Sequence, residues 1–193
     1  MSNIIRETAN GLYPISIEDD LLMKRKVFLT TEVNPASMNR LLLQLMYLEQ
    51  EDQKKEIRLY INSPGGSVTS GLAICDYIAM MKAPVTTICT GTASSMGALI
   101  FLSGKKRLML PHSWLMIHDP SYGSNNIGGK KPHEIQRELD QLNEIREMLA
   151  KIIAEKTGKT MDEVYAVTAT DSFYSAEQAI EFGLATGMMT KAL

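Results

Sequence analysis

VTTICTGTASSMGALIFL, residues 85–102, changes character at its middle. Residues 85–90 are β-branched or apolar, as a buried strand requires. From Ser95 to about residue 103 the side chains are small or apolar throughout, which reads as a buried helix. The two hydroxyls Ser94 and Ser95 fall at the junction. A strand running straight into a buried helix is the repeating unit of an α/β fold, so the flanking sequence should repeat it.

It does so on both sides. Upstream, residues 57–62 (IRLYIN) form a strand, SPGGS is a turn, and residues 71–82 form a helix stopped before Pro84. Earlier still, Asn34-Pro35 starts a helix as N-cap and first helical residue. Its apolar positions Leu41, Leu42, Leu45, Met46 and Leu48 recur at helical spacing. Downstream come two short strands, KRLML and SWLMI, separated by Pro111-His112. Helices alternating with strands predict parallel strands with helical crossovers.

Residues 119–131 (DPSYGSNNIGGKK) form a Gly/Asn-rich loop. A helix from about 132 to 156 follows, with an apolar seam of Ile135, Leu139, Leu142, Ile145, Leu149, Ile152 and Ile153. At 1.5 Å per residue it is roughly 35 Å long, more than the sheet needs for cover. A narrow seam on so long a helix points to contact with a second copy of the chain, packing on its own domain being the plainer alternative. Thr160 to Glu163 and Ser175 to Gln178 are capping-box patterns that open two short helices, and Gly183 is a C-cap for the second.

The chain has 193 residues, 45% of them hydrophobic, enough for one core and read as one domain over 1–193. With a net charge of −2 and no basic run longer than three residues, nothing argues for nucleic acid or an anionic membrane as partner, and neither is expected. The N-terminus has no apolar targeting segment and no run is long enough to span a bilayer, so a cytoplasmic location is expected. Cys75 and Cys89 sit in apolar surroundings, as buried free thiols of a reducing compartment. No Cys/His spacing suits a metal, and no cofactor is expected in the chain.

Chemistry gathers at the strand ends. A serine on a sharp strand-to-helix bend faces outward, and the N–H of Met96 points the same way. Small neighbours, Ala93 and Gly97, permit the bend. Taken alone, Ser95 is as readily a helix cap. The glycines of SPGG let backbone amides approach a ligand, and Gly66 with Met96 could hold one oxygen between them. Among the histidines, His112 and His133 read as surface residues. His118 ends the strand SWLMI, where a base would be needed. Asp119 is adjacent but points to the opposite face of a strand. Asp171 is either a solvated residue before a helix cap or the carboxylate that fixes the imidazole tautomer.

Four separated motifs, YINSPGGSV, GTASSMGALI, WLMIHDP and ATDSFYSAEQA, together resemble the proteolytic subunit of the Clp protease, over about residues 21–188. The resemblance implies a crotonase-like α/β fold of stacked βαβ units with a protruding handle helix. The handle region is then residues 119–156, and residues 1–20 are an N-terminal axial segment. It implies a self-compartmentalising serine endopeptidase with nucleophile Ser95, base His118, acid Asp171, and oxyanion donors in the amides of Gly66 and Met96. The implied assembly is two stacked heptameric rings, of one subunit or mixed with a second subunit type. The implied partners are an AAA+ unfoldase, which uses the ATP, and unfolded polypeptide substrates.

The chain also departs from that pattern. Asp119 stands where the family usually has Gln, and Thr170 where it has an Arg that pairs across the ring interface. Arg58 and Met80 stand where aromatics often line the unfoldase-docking pocket, and GLYPISIEDD replaces the usual axial stretch. Two rival readings follow: a catalytically silent subunit of a mixed barrel, and a crotonase-fold acyl-CoA enzyme working with carboxylates.

Overall fold

The computed structural model of the chain describes residues 3–8, 11–122 and 129–191. Part of the Gly/Asn-rich loop, residues 123–128, therefore lies outside the described residues. The chain begins with an antiparallel hairpin of β1 (Asn3–Thr8) and β2 (Gly11–Ser16). The sequence had offered no secondary structure there. Helix α1 (Ile17–Met23) follows, capped by Ser16, whose hydroxyl accepts from the Asp19 N–H. The carboxylate of Asp20 joins Arg6 of the hairpin (2.7 Å) to Lys24 (2.6 Å), holding β1 against α1.

Next come β3 (Lys26–Leu29), α2 (Pro35–Glu51), β4 (Ile57–Ser63), α3 (Val68–Met80) and β5 (Val85–Ser94). Asn34 caps α2 through the Ser37 N–H, with Pro35 in the first turn. Leu41, Leu45 and Leu48 of its apolar face are buried, whereas Met46 is exposed. Helix α3 starts three residues earlier than the apolar pattern indicates, because Ser67 accepts from the Ser70 N–H and caps it there. The C-terminal end of α2 is held by Arg25. Its guanidinium donates to the carbonyls of Leu48, Asp52, Lys55 and Glu56.

Helix α4 (Met96–Leu102) is buried along its whole length. After it come β6 (Lys106–Met109), β7 (Trp114–Ile117), α5 (Pro132–Thr157), α6 (Met161–Thr168), β8 (Ser172–Ser175), α7 (Ala176–Phe182) and β9 (Gly187–Met188). Thr160 and Ser175 complete the two capping boxes, and Gly183 closes α7 at φ 93°.

Strands β3, β4, β5, β6 and β9 form a parallel sheet in that order. Strand β5 is longer than its apolar run, and it serves two neighbours in succession. Thr86–Cys89 pair with β6, and Thr92–Ser94 pair with β7. Strand β7 in turn pairs antiparallel with β8. The change of partner coincides with a bulge. Ile61 and Ser63 of β4 lie opposite Cys89 and Ala93 of β5. The Asn62 side chain fills the bulge, its Oδ1 accepting from the Thr92 N–H (3.0 Å). Gly91 leaves room for it, since a Cβ there would come within 2.5 Å of that oxygen and displace the Asn62 side chain.

Cys75 and Cys89 are buried and free, as the sequence suggests. Burial pushes the Cys75 thiol up to about 12 and also raises that of Cys89. Near pH 8 a thiol at about 12 carries roughly one thiolate in 10⁴. Iodoacetamide at that pH should therefore modify Cys75 only after denaturation. Fast native labelling, read by peptide mass, would show that α3 does not stay packed. No helix among the described residues is long and apolar enough to cross a membrane.

The seam of α5 divides. Leu149 and Ile153 are buried in the chain's own core, with Ile145 and Ile152 packed against it. Leu139, in the first half, is 48% exposed. The C-terminal half is thus ordinary domain packing, and only the N-terminal half is left to contact a second copy.

Candidate active site

Parallel strands bring their C-terminal ends to one edge, and the residues after β4, β5 and β7 meet there. Ser95 stands between β5 and α4 at φ 53° and ψ −123°. This is a left-handed conformation that a non-glycine residue adopts only when its surroundings enforce it. They do so here. The Ser95 N–H donates to the Met116 carbonyl (2.8 Å), and the Ser95 carbonyl accepts from the Ala98 N–H (2.9 Å). Ser95 makes no side-chain capping bond to its helix. Its hydroxyl is instead 2.8 Å from Nε2 of His118.

His118 follows β7, one strand across. Its Nδ1 lies 3.2 Å from Oδ1 of Asp171, at the entry to β8. Strand β8 reaches this place because it pairs with β7, Ile117 facing Ser172. For Nε2 to accept the serine proton, Nδ1 must carry the ring hydrogen, and Asp171 is the acceptor that holds it. The three residues thus lie in a row, Ser95 hydrogen-bonded to Nε2 and the Asp171 carboxylate 3.2 Å from Nδ1. In the isolated subunit the Asp171 side chain is 61% exposed and that of His118 26%.

Ser94 is separated from this row. It is buried, and its hydroxyl lies 2.9 Å from that of Thr92. Asp119 is also turned away. Its Oδ2 accepts from Arg146 Nε at 2.6 Å. His112 and His133 are exposed.

The glycine turn after β4 lies against the serine bend. A Cβ on Gly65 would sit 2.5 Å from the Ser94 carbonyl oxygen and 2.7 Å from Ser95 Cβ, so only glycine fits. Val33 donates to the Gly65 carbonyl and accepts from the Ser67 N–H, which pins the turn on its other side. These bonds leave the Gly66 N–H outside the bridge to Val33. The Met96 N–H is the first of α4 and has no carbonyl one turn back to take it. The Met96 N–H borders the bend beside Gly65, with Gly66 the next residue along the turn.

Sequence reasoning missed several residues of this architecture. Buried Ser63 donates to the Thr31 carbonyl (2.6 Å) and accepts from the Gly65 N–H (3.2 Å), fixing the glycine turn. Its place between Asn62 and the SPGG glycines was the available cue. Arg146 is a charged residue within the apolar seam of α5, four residues after Leu142 and three before Leu149, and that placement was the available cue. Near β3, Phe28 stacks on Tyr60 with ring centroids 5.0 Å apart, while Arg58 pairs with Glu56 (3.0 Å).

A family model described as Clp protease matches residues 10–192. The ATP-dependent Clp protease proteolytic subunit of Leuconostoc citreum (strain KM20) is 39% identical over 191 residues, covering 98% of this chain and 94% of the relative. The ATP-dependent Clp protease proteolytic subunit 2 of Prochlorococcus marinus (strain NATL2A) is 44% identical over 178 residues, covering 91% and 88%.

Proposed function

The chain belongs to the Clp protease family, as a relative of its proteolytic subunits with their crotonase-like α/β fold, and we propose that it is a serine endopeptidase acting on unfolded polypeptides inside an oligomeric barrel. The observation that carries this reading is the contact of Ser95 Oγ with His118 Nε2 at 2.8 Å, backed by Asp171 on Nδ1.

Ser95 Oγ attacks the scissile carbonyl carbon while its proton passes to His118 Nε2. The developing oxyanion accepts from the N–H groups of Gly66 and Met96. Collapse of the tetrahedral intermediate breaks the C–N bond, and His118 returns the proton to the leaving amine. Water then attacks the acyl-enzyme with His118 again as base, which frees the carboxylate product and restores Ser95. Asp171 holds the imidazole in the tautomer that leaves Nε2 open and stabilises the imidazolium. The subunit itself needs no cofactor for this chemistry. ATP is used by an AAA+ unfoldase that delivers the substrate, in the cytoplasm.

A serine-directed fluorophosphonate tests the reading against its rivals. Covalent labelling located at Ser95 by peptide mass is expected. A silent subunit or an acyl-CoA enzyme would leave Ser95 unlabelled.

Assembly is proposed as two stacked heptameric rings, of this subunit alone or with a second subunit type. The exposed first half of the α5 seam supports stacking there. Leu139→Glu would place an unpaired charge in that contact, at a cost of several kcal/mol. Sedimentation should then show single rings or smaller species. Leu149 is no test of stacking, because it is buried in the subunit's own core. Thr170 supplies no cation at the ring interface, so stacking should persist as salt is raised. Barrels that dissociate in moderate salt would mean that ion pairs elsewhere hold the rings.

A further inference from the structure

We infer that the Asp119–Arg146 ion pair is a positioning device that sets His118 against Asp171, a role that rests on the serine peptidase reading. Asp119 directly follows His118, and its backbone N–H and its carboxylate are both engaged. The backbone N–H donates to the carbonyl of Thr168, the last residue of α6 (2.7 Å). The carboxylate accepts from Arg146 Nε of α5 (2.6 Å). The Arg146 guanidinium also lies over the ring of Tyr165, 4.4 Å from its centre, one turn before Thr168 on α6. A single arginine thereby joins the segment carrying His118 to both helices.

Helix α6 is also the element that leads to the acid. Asp171 comes three residues after Thr168, and Ser172 donates back to the Val167 carbonyl (2.6 Å). The position of α6 relative to the end of β7 therefore adjusts the His118–Asp171 separation that the β7–β8 pairing sets. That separation is 3.2 Å, at the long end of the hydrogen-bonding range. A shift of a few tenths of an ångström would take it outside. The pair is half-exposed, with side chains 37% and 27% accessible, so its contribution to stability is small. A catalytic effect is then separable from an effect on folding.

The test uses the full-length assembled protein, with active serines titrated by fluorophosphonate before kinetics on a fluorogenic peptide. Arg146→Gln should lower kcat per titrated serine by about 10- to 50-fold, with KM changed by less than about twofold. Arg146→Lys restores the ion pair without the flat stacking surface, and should recover to within about fivefold of wild type. Asp119→Asn combined with Arg146→Gln should be no slower than Arg146→Gln alone, because both act through one link. Unchanged kcat per titrated serine in Arg146→Gln would overturn the inference, as would an effect confined to KM. So would Arg146→Lys performing no better than Arg146→Gln. Should Arg146→Gln fail to assemble, Asp119→Asn carries the same test, with reduced kcat expected and wild-type kcat overturning it. A wild-type protein with no titratable serine would instead refute the peptidase reading itself.

Discussion

Ser95→Ala should abolish peptide hydrolysis, while Ser94→Ala should leave most of it. Removing the nucleophile of a serine triad in subtilisin costs a factor of about 2 × 10⁶, or about 8.6 kcal/mol of transition-state stabilisation. The two serines are adjacent in sequence but differ in surroundings. The Ser95 hydroxyl meets the imidazole at 2.8 Å, whereas that of Ser94 is buried and paired with Thr92. Ser94→Ala leaves one hydroxyl partner in Thr92 without its neighbour, which costs about 1 kcal/mol of stability and little activity. Both variants should be assayed on a short fluorogenic peptide that needs no unfoldase. Equal loss in the two, or loss in Ser94→Ala alone, would reassign the nucleophile.

Asp171→Asn should lower kcat by about 10³-fold. The corresponding change in trypsin costs about 10⁴ through the wrong histidine tautomer. A smaller factor is expected here because the Asp171 side chain is 61% exposed in the subunit, and water shares its role of accepting from Nδ1. Asp119→Asn should cost on the order of tenfold, since its carboxylate contacts Arg146 and not the imidazole. The ratio between the two variants is the informative quantity. If Asp119→Asn proved the more damaging, Asp171 would lose the role of acid.

The order of strands and helices was legible wherever local chemistry is strong. Asn34-Pro35, the two capping boxes and the apolar runs at residues 57–62 and 85–90 each settle their structure within a few neighbours. Strands β3, β8 and β9 carry four, four and two residues and no alternation of their own. They are strands because an existing edge offers them hydrogen-bonding partners. The N-terminal hairpin likewise depends on the Arg6–Asp20 contact, a pairing that no periodicity reveals. Helix α5 shows the opposite limit. Its seam was plain, but which half faces the core depends on where α4 and α6 sit.

By itself, the sequence determined the α/β class, the strand-to-helix bend at Ser95, the glycines that must crowd it, and a short choice of histidine and carboxylate. These follow from backbone sterics and local hydrogen bonding, which act over a few residues. Strand alternation and the family resemblance already favoured Asp171 over Asp119, but only the tertiary structure shows what brings Asp171 to the imidazole. Asp119 is next to His118 in the chain, yet it faces away and is taken by Arg146, 27 residues on. Asp171 lies 53 positions from His118 in sequence, since 171 − 118 = 53, yet it meets the imidazole because β8 pairs antiparallel with β7. That meeting is fixed by strand register, a long-range hydrogen-bonding pattern that no stretch of local sequence encodes.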